Sequence, residues 1–394
     1  MTREQSFFIQ ILSDHLNGRE TERIDGLDWP IIYQYARKHQ VSGIVYTQAK
    51  DIMPIDVLPI FRQDTLATFY YASNRDSDFE TIKKELLKNN IPFFVVKGPA
   101  VAELFPIPKL RAMGDIDLVV SHEYCEKCHE ILLENGYRCA TKQDEREWQY
   151  YKHGMELELH DRLVYEETVN ETGHDTYFND CWKYVKEGQL DWNFHLLFLI
   201  FHLRKHFMNA GVGFRQFMDL AVVAQKIDID WEWVEENLKI TGMYPFAKKC
   251  YGFVDQMFGI KTPLAEGLDA DFAEDAIQTI FSNGVFGFDN ADNKTSASIN
   301  EVRKSKHPRL SLFYLYLKEV FPPWELLSKT KSYGYLQKSK YLLPIAWLHR
   351  LCRNIQYALS KGKLKGKKIA SMENYDHRMD WMKNWGLLDE DNHL

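Results

Sequence analysis

Ile91-Pro92-Phe93-Phe94-Val95-Val96-Lys97-Gly98 and, a little further on, Asp115-Ile116-Asp117-Leu118-Val119-Val120 decide how the chain is read. Each is a short apolar run with β character, the first stopping at Lys97-Gly98-Pro99 and the second opening on two acids. Between them Ala100 to Phe105 reads as a short helix, and Pro106 and Pro108 mark a loop. Downstream, His122 to Asn135 reads as a helix ending at Gly136, and Tyr137 to Thr141 reads as a third strand. Trp148 to Lys152 and Met155 to Leu163 read as a hairpin turning at His153-Gly154. Strand, helix, strand, helix, strand and hairpin in quick succession predict a small mixed-sheet core over residues 91–165.

Outward from this core the periodicity is helical. Over residues 1–90, Phe7, Phe8, Ile11, Leu12, His15 and Leu16 have helical spacing, and Asp28 with Pro30 reads as a cap followed by an early helical proline. Ile60 to Leu87 reads as one long helix, with Leu66, Phe69, Tyr70, Phe79, Ile82 and Leu86 as its apolar residues. Residues 166–282 are predicted helical, with Trp192 to Asn209 and Arg215 to Gln225 joined by Gly211-Val212-Gly213, then Trp231 to Ile240 and Pro245 to Phe258. Residues 283–300, rich in Gly, Asn, Asp and Ser, read as a flexible linker or loop. Residues 301–394 form a basic helical region, with Pro322, Pro323 and Pro344 read as breakers. The expected fold class is α+β: a small mixed-sheet core flanked by N-terminal helices and a larger C-terminal helical region.

Composition narrows the function classes. With 45% hydrophobic and 27% charged residues the chain has an ordinary globular mix, and its net charge of −7 opposes general nucleic-acid binding. The charge is polarised: residues 301–368 hold 16 Lys and Arg against 3 Asp and Glu, whereas residues 1–300 hold 31 against 47. Either the basic part docks on an acidic body or it faces a triphosphate, a phosphorylated acceptor or a nucleic acid. The Lys- and Gly-rich run Lys361–Lys368 resembles a solvated linker and favours the first explanation. Six cysteines in 394 residues do not make a disulfide scaffold. Gln10 and Asp14 interrupt the first apolar run, which argues against a signal peptide, and the stretch Phe194–Leu203 is too short to span a bilayer. A cytoplasmic, non-membrane protein is expected.

The candidate chemistry lies in Asp115-x-Asp117. Residues i and i+2 of a strand share a face, so two carboxylates project together beside a core. Such a pair needs a cation, and adjacent oxygen donors suit Mg²⁺. Glu156-Leu157-Glu158-Leu159-His160 alternates polar and apolar residues. Paired beside Asp115–Val120, it would bring Glu158 in as a third carboxylate, with His160 on the same face. Lys97 and Gly98 end a strand where backbone N–H groups and an ammonium can meet phosphate, and Arg111, four residues before Asp115, is placed to meet a phosphate as the loop enters the second strand. Together these parts suit phosphoryl-type transfer, in which metals align an attacking hydroxyl, the α-phosphorus and departing pyrophosphate. Cys125 and Cys128 lie on one helix without a second ligand pair and read as core. His202 and His206 are four apart on a helix but lack the H-E-x-x-H pattern. Arg215 and Asp219 are also four apart and are expected to form an intrahelical ion pair worth about 0.2–0.5 kcal/mol. With His160 and His202 they are expected to wall the substrate cleft.

At these residues the chain resembles the uncharacterised branch of the DNA polymerase β-like nucleotidyltransferase superfamily. That branch shows a K-G opening, matched by Lys97-Gly98, then R-x-M-x-D-h-D-h-h-V, matched by Arg111-Ala112-Met113-Gly114-Asp115-Ile116-Asp117-Leu118-Val119-Val120, and a later strand ending E-h-H, matched by Glu158-Leu159-His160. Phe201 to His206, Phe214 to Leu220 and Tyr341 to Arg350 resemble its C-terminal helices. The resemblance implies transfer of a nucleoside monophosphate from an NTP to a hydroxyl or phosphate of a small-molecule acceptor, dependent on Mg²⁺ or alternatively Mn²⁺. It implies Asp115 and Asp117 as metal ligands and Glu158 as a third ligand or base. Pro99 stands where the wider superfamily has Ser or Gly. That motivates a second expectation, a decayed transferase kept as a nucleotide- or partner-binding module. A third is an enzyme that attaches AMP to proteins.

Overall fold

Both deciding runs are strands, Phe93–Val96 (β1) and Asp115–Val120 (β2), joined in one sheet by Arg138–Gln143 (β3), Glu147–Lys152 (β4) and Met155–His160 (β5). The computed structural model describes residues 1–143, 147–165, 174–186, 188–209, 211–285, 307–328, 331–361 and 379–388. The strand order is β1-β2-β5-β4-β3. β1 runs antiparallel to β2, β2 parallel to β5, and β5–β4–β3 form an antiparallel meander. The parallel pair requires a crossover, supplied by helix α6 (Cys125–Glu134) together with β3 and β4. His153 (φ 51°) and Gly154 (φ 78°) close the β4–β5 hairpin with two left-handed residues, the conformation of a two-residue type I′ turn.

The alternation of each strand separates core from site. Ile116, Leu118 and Val120 of β2, Leu157 and Leu159 of β5, and Trp148 and Tyr150 of β4 form a buried face. It is covered by Cys128, Ile131 and Leu132 of α6 and by Phe79, Ile82 and Leu86 of α4 (Leu58–Lys88). Cys125 and Cys128 are buried on α6, where burial pushes the Cys125 thiol up to about 11 and the Cys128 thiol to about 12. The expected apolar stripe of α4 needs correction: Leu66 is 59% and Tyr70 66% exposed. The buried stripe runs through Phe61, Thr65, Ala72, Arg75, Phe79, Ile82 and Leu86. At 31 residues the helix outruns the sheet, and its N-terminal half packs against α3 (Ser42–Ala49) instead.

The flanking helices start where their caps dictate. Thr2 forms a capping box with Gln5 ahead of α1 (Arg3–Asn17), and Asp28 caps α2 (Trp29–Lys38) with Pro30 in its first turn. Beyond the sheet come α8 (Trp192–Asn209), α9 (Phe214–Lys226), α10 (Trp231–Ile240), α11 (Tyr244–Phe258) and α12 (Ala270–Asn283), with the short α5 (Gly98–Ala102) and α7 (His174–Asn179) before them. The protein is thus a mixed α and β fold with N-terminal helices and a C-terminal helical region. The chain divides into two compact units. One holds Met1–Arg204, Val212–Phe286 and Trp385–Leu387; the segments drawn at 1–90, 91–165 and 166–282 fall largely within it. The other holds Lys205–Gly211, Gly287–Asn384 and Leu388–Leu394, with helices Pro308–Val320 and Leu343–Lys361 and a small core of Leu327, Tyr333, Leu336 and Ala346. Pro344 does not break a helix: it lies in the first turn of Leu343–Lys361, where its missing N–H has no partner to lose. The linker expected at 283–300 lies outside the described residues from 286 onward, as does most of the Lys-rich run. Among the described residues no helix is long and apolar enough to cross a membrane.

Two histidines of the first unit are packed as neutral imidazoles. Burial holds His39, after α2, and His195, on α8, at pKa values of about 3. His39 Nδ1 accepts the Phe214 backbone N–H at 3.3 Å. In the unfolded chain each takes a proton near pH 6.5, so below that pH protons are bound by the unfolded state alone. Their stabilisation is therefore full above pH 6.5 and falls as pH drops, by about 1.4 kcal/mol per pH unit for each histidine. His160 and Asp115, whose pKa values are raised, act in the opposite sense, so the test is a difference: His39→Gln should lose less stability than wild type between pH 7.5 and pH 5.5 in urea unfolding, and an equal loss would contradict this account.

Candidate active site

The parallel pairing of β2 with β5 assembles the acidic face. Asp117 lies directly across from Glu158, Asp115 across from Glu156, and Val119 across from His160. Because side chains alternate, Asp115, Asp117, Glu156, Glu158 and His160 all stand on the face opposite the α4–α6 core. On the other side of β2, Val96 of β1 pairs with Asp117, so the strand ends with Lys97 beside that carboxylate.

Asp117 is the centre of the cluster. It is 2% exposed, and its Oδ1 is 2.5 Å from Lys97 Nζ and 3.4 Å from His160 Nε2. His160 Nε2 is also 3.4 Å from Glu158 Oε2, yet it is aligned with neither carboxylate well enough to hydrogen bond and is buried without a partner. Burial disfavours charge on all these groups, and their mutual attraction decides the outcome. Lys97 and His160 outweigh burial and hold the Asp117 carboxyl far below its usual range. Asp117 and Glu158 outweigh burial at His160 and raise it to about 9. Asp115 is raised to about 6, by burial first and then by the neighbouring Asp117 charge, which together exceed the help from Lys97.

Asp117, Glu158 and His160 each place a potential ligand atom within 4.8 Å of the others, and among the described residues this is the group with metal-like spacing. The donor set fits a divalent cation on two grounds. It offers two carboxylates from adjacent strands, Asp117 directly across from Glu158, and His160 Nε2 stands 3.4 Å from both as a cation occupying the space a metal would take. Asp115 shares the face but stands one step outside this trio.

The turn after β1 is built differently from expectation. Lys97 has φ 57° and ψ −116°, a conformation that favours glycine. Its backbone N–H, expected for phosphate, donates to His195 Nε2 at 2.9 Å. Gly98 begins α5, which has only five residues, and a Cβ there would meet Met113 Sδ at 3.1 Å and Asp115 O at 3.3 Å. Close packing against the strand entry therefore accounts for this glycine.

Arg111 does not stand open to a phosphate. It is 4% exposed, Nε and Nη2 donate to the two oxygens of Asp219 at 2.7 Å each, and Nη1 donates to Gly98 O at 3.2 Å. A planar guanidinium fork matches a carboxylate in this bidentate way, so Asp219 pairs with Arg111 and the expected Arg215–Asp219 pair is replaced. Arg215 instead donates to Gln40 Oε1 and to Ala112 O. These bonds brace the loop leading into Asp115. His202 lies on α8 and His206 belongs to the other compact unit. The α8 histidine that reaches the site is His195, whose ring stacks on Trp192 at 4.9 Å. Its signal in the sequence was a polar residue inside the apolar run Phe194–Leu203. His195 and Trp192 also line a cavity of about 380 Å³ with Pro99, Ala100 and Glu103, on which none of the site carboxylates opens.

Acidic side chains from two parallel neighbours of a mixed sheet thus stand next to a strand that ends in a tight turn and short helix. The family model described as "Uncharacterised nucleotidyltransferase" matches residues 25–259, and the chain belongs to that family. No curated protein and no solved structure matches the chain.

Proposed function

We propose that the protein transfers a nucleoside monophosphate from an NTP to a hydroxyl or phosphate of a small-molecule acceptor. Asp115, Asp117 and Glu158 would hold Mg²⁺, or Mn²⁺ in its place. The reading is carried by the register that sets Asp117 across from Glu158 on the face of the sheet opposite the α4–α6 core. A bound divalent ion would neutralise phosphate charge and orient the reacting oxygens. The protein's part is positioning: the Arg111–Asp219 and Arg215–Ala112 bonds fix the loop before Asp115, and sheet pairing fixes Asp117 against Glu158. In the transfer the acceptor oxygen bonds to the α-phosphorus, the bridging oxygen leaves with pyrophosphate, and the acceptor proton passes to a site carboxylate or to water.

The test is pyrophosphate release from each of the common NTPs with Mg²⁺ or Mn²⁺, in the presence of a small-molecule extract as acceptor source. Turnover should be present in the wild type and absent in Asp115→Asn and Asp117→Asn; equal rates in all three reject the reading. With α-labelled ATP, label should enter small molecules. Label on polypeptides would move the acceptor class to proteins. Tight nucleotide binding without turnover would mark a binding module.

A further inference from the structure

The ammonium of Lys97 occupies one oxygen of Asp117, the carboxylate at the centre of the cluster. Its Nζ lies 2.5 Å from Asp117 Oδ1, the oxygen that His160 also approaches. The ammonium is matched by Asp117 at ion-pair distance, with the Asp115 carboxylate on the same face of the sheet. The backbone below it carries strain: φ 57° with ψ −116° is relaxed for glycine and costly for lysine. Strain of this kind persists where the surrounding structure enforces it, and it clusters at functional sites. A divalent ion bound to Asp117 would share one carboxylate with this ammonium, and like charges at that separation repel strongly. Lysine has a flexible stem and a compact charge, so it can leave a single carboxylate for a polyanion.

We infer that Lys97 is a resident counter-ion that keeps divalent metal off Asp117 until a triphosphate draws the ammonium away. The inference rests on the nucleotidyltransferase reading and adds a binding order to it. Nucleotide must arrive before metal or with it, and metal alone binds poorly. Lys97 is a gating residue for the cation site: it holds Asp117 charged and oriented while the site is empty and exchanges one anion for another when nucleotide enters.

The probe is Mn²⁺, followed through the loss of its free-ion electron paramagnetic resonance signal on titration with protein. Wild type, Lys97→Met, Lys97→Gly and Asp117→Asn are compared, with and without a non-hydrolysable ATP analogue, each first checked for folding by circular dichroism. Without nucleotide, Lys97→Met and Lys97→Gly should bind Mn²⁺ at least about tenfold more tightly than wild type, since a neighbouring positive charge is removed. A merely structural lesion would loosen the site, and only one of these variants relieves the backbone strain, so tightening in both reports the lost ammonium. With the analogue present, Mn²⁺ retained with the protein on ultrafiltration, beyond that passing through with the analogue alone, should be equal in wild type and the Lys97 variants, and Asp117→Asn should lose the tight binding throughout. Equal or weaker Mn²⁺ binding in both Lys97 variants, with wild type still binding Mn²⁺ alongside the analogue, overturns the inference and leaves the transferase reading intact. Absence of Mn²⁺ binding in every form, nucleotide present or not, overturns both.

Discussion

Replacing Arg111 with alanine should destabilise the protein by about 3–5 kcal/mol, because the Asp219 carboxylate is then left buried and unpaired. Both oxygens of Asp219 are held at 2.7 Å by the guanidinium, and Arg111 and Asp219 are 4% and 7% exposed. Net stability of a domain is about 5–15 kcal/mol, so the loss is a large share of the whole. Lysine should rescue little, since a point charge cannot grip both oxygens and also reach Gly98 O. The double variant Arg111→Met/Asp219→Leu should recover much of the loss by removing both charges together. Urea unfolding with a double-mutant cycle measures this coupling. An Arg111→Ala protein within about 1 kcal/mol of wild type would show that the pair is not the brace described here.

Asp117→Asn should lower nucleotidyl transfer by about a thousandfold or more, the equivalent of several kcal/mol of lost charge stabilisation. Asparagine keeps the shape of the side chain but removes the negative charge that faces Lys97 and His160. Two cations then share the remaining carboxylates, so the variant should also unfold at lower temperature. The kinetic loss has to be measured per folded molecule, with the rate compared against Glu158→Gln. Glu158 is the more exposed of the two and touches only one of the site's cations, His160, so its loss should be smaller in stability while remaining severe in rate. Residual activity of Asp117→Asn within tenfold of wild type would argue that chemistry is organised around other groups.

Much of this site was legible because its parts are local patterns. A period of two in Asp115–Val120 and in Met155–His160 fixes which residues share a face, and His153-Gly154 announces the hairpin that orients the second strand. Caps such as Asp28 and the glycines around 211–213 mark helix boundaries for equally local reasons. The pairing of Arg111 is not legible, because its partner Asp219 lies 108 residues away and nothing near either residue encodes the match. The i, i+4 spacing of Arg215 and Asp219 offered a weak local pair that a buried bidentate one displaced. His195 was passed over for the same reason, being 98 residues from Lys97. Leu66 and Tyr70 misled because periodicity marks an apolar stripe without telling how far along the helix its covering layer extends.

The crossover between β2 and β5 has a consequence for biosynthesis. A chain leaving the ribosome exposes Asp115 and Asp117 well before Glu158 exists, and the parallel ladder is the least local pairing in the sheet, so it closes late. Until then two acids wait on an unpartnered strand edge beside Lys97. The lysine follows the neighbouring antiparallel strand, formed from already synthesised residues, and its ammonium reaches Asp117 during that interval. Nascent fragments ending before the β4–β5 turn should accordingly be inert toward nucleotides, so that competence appears in one step with completion of the sheet.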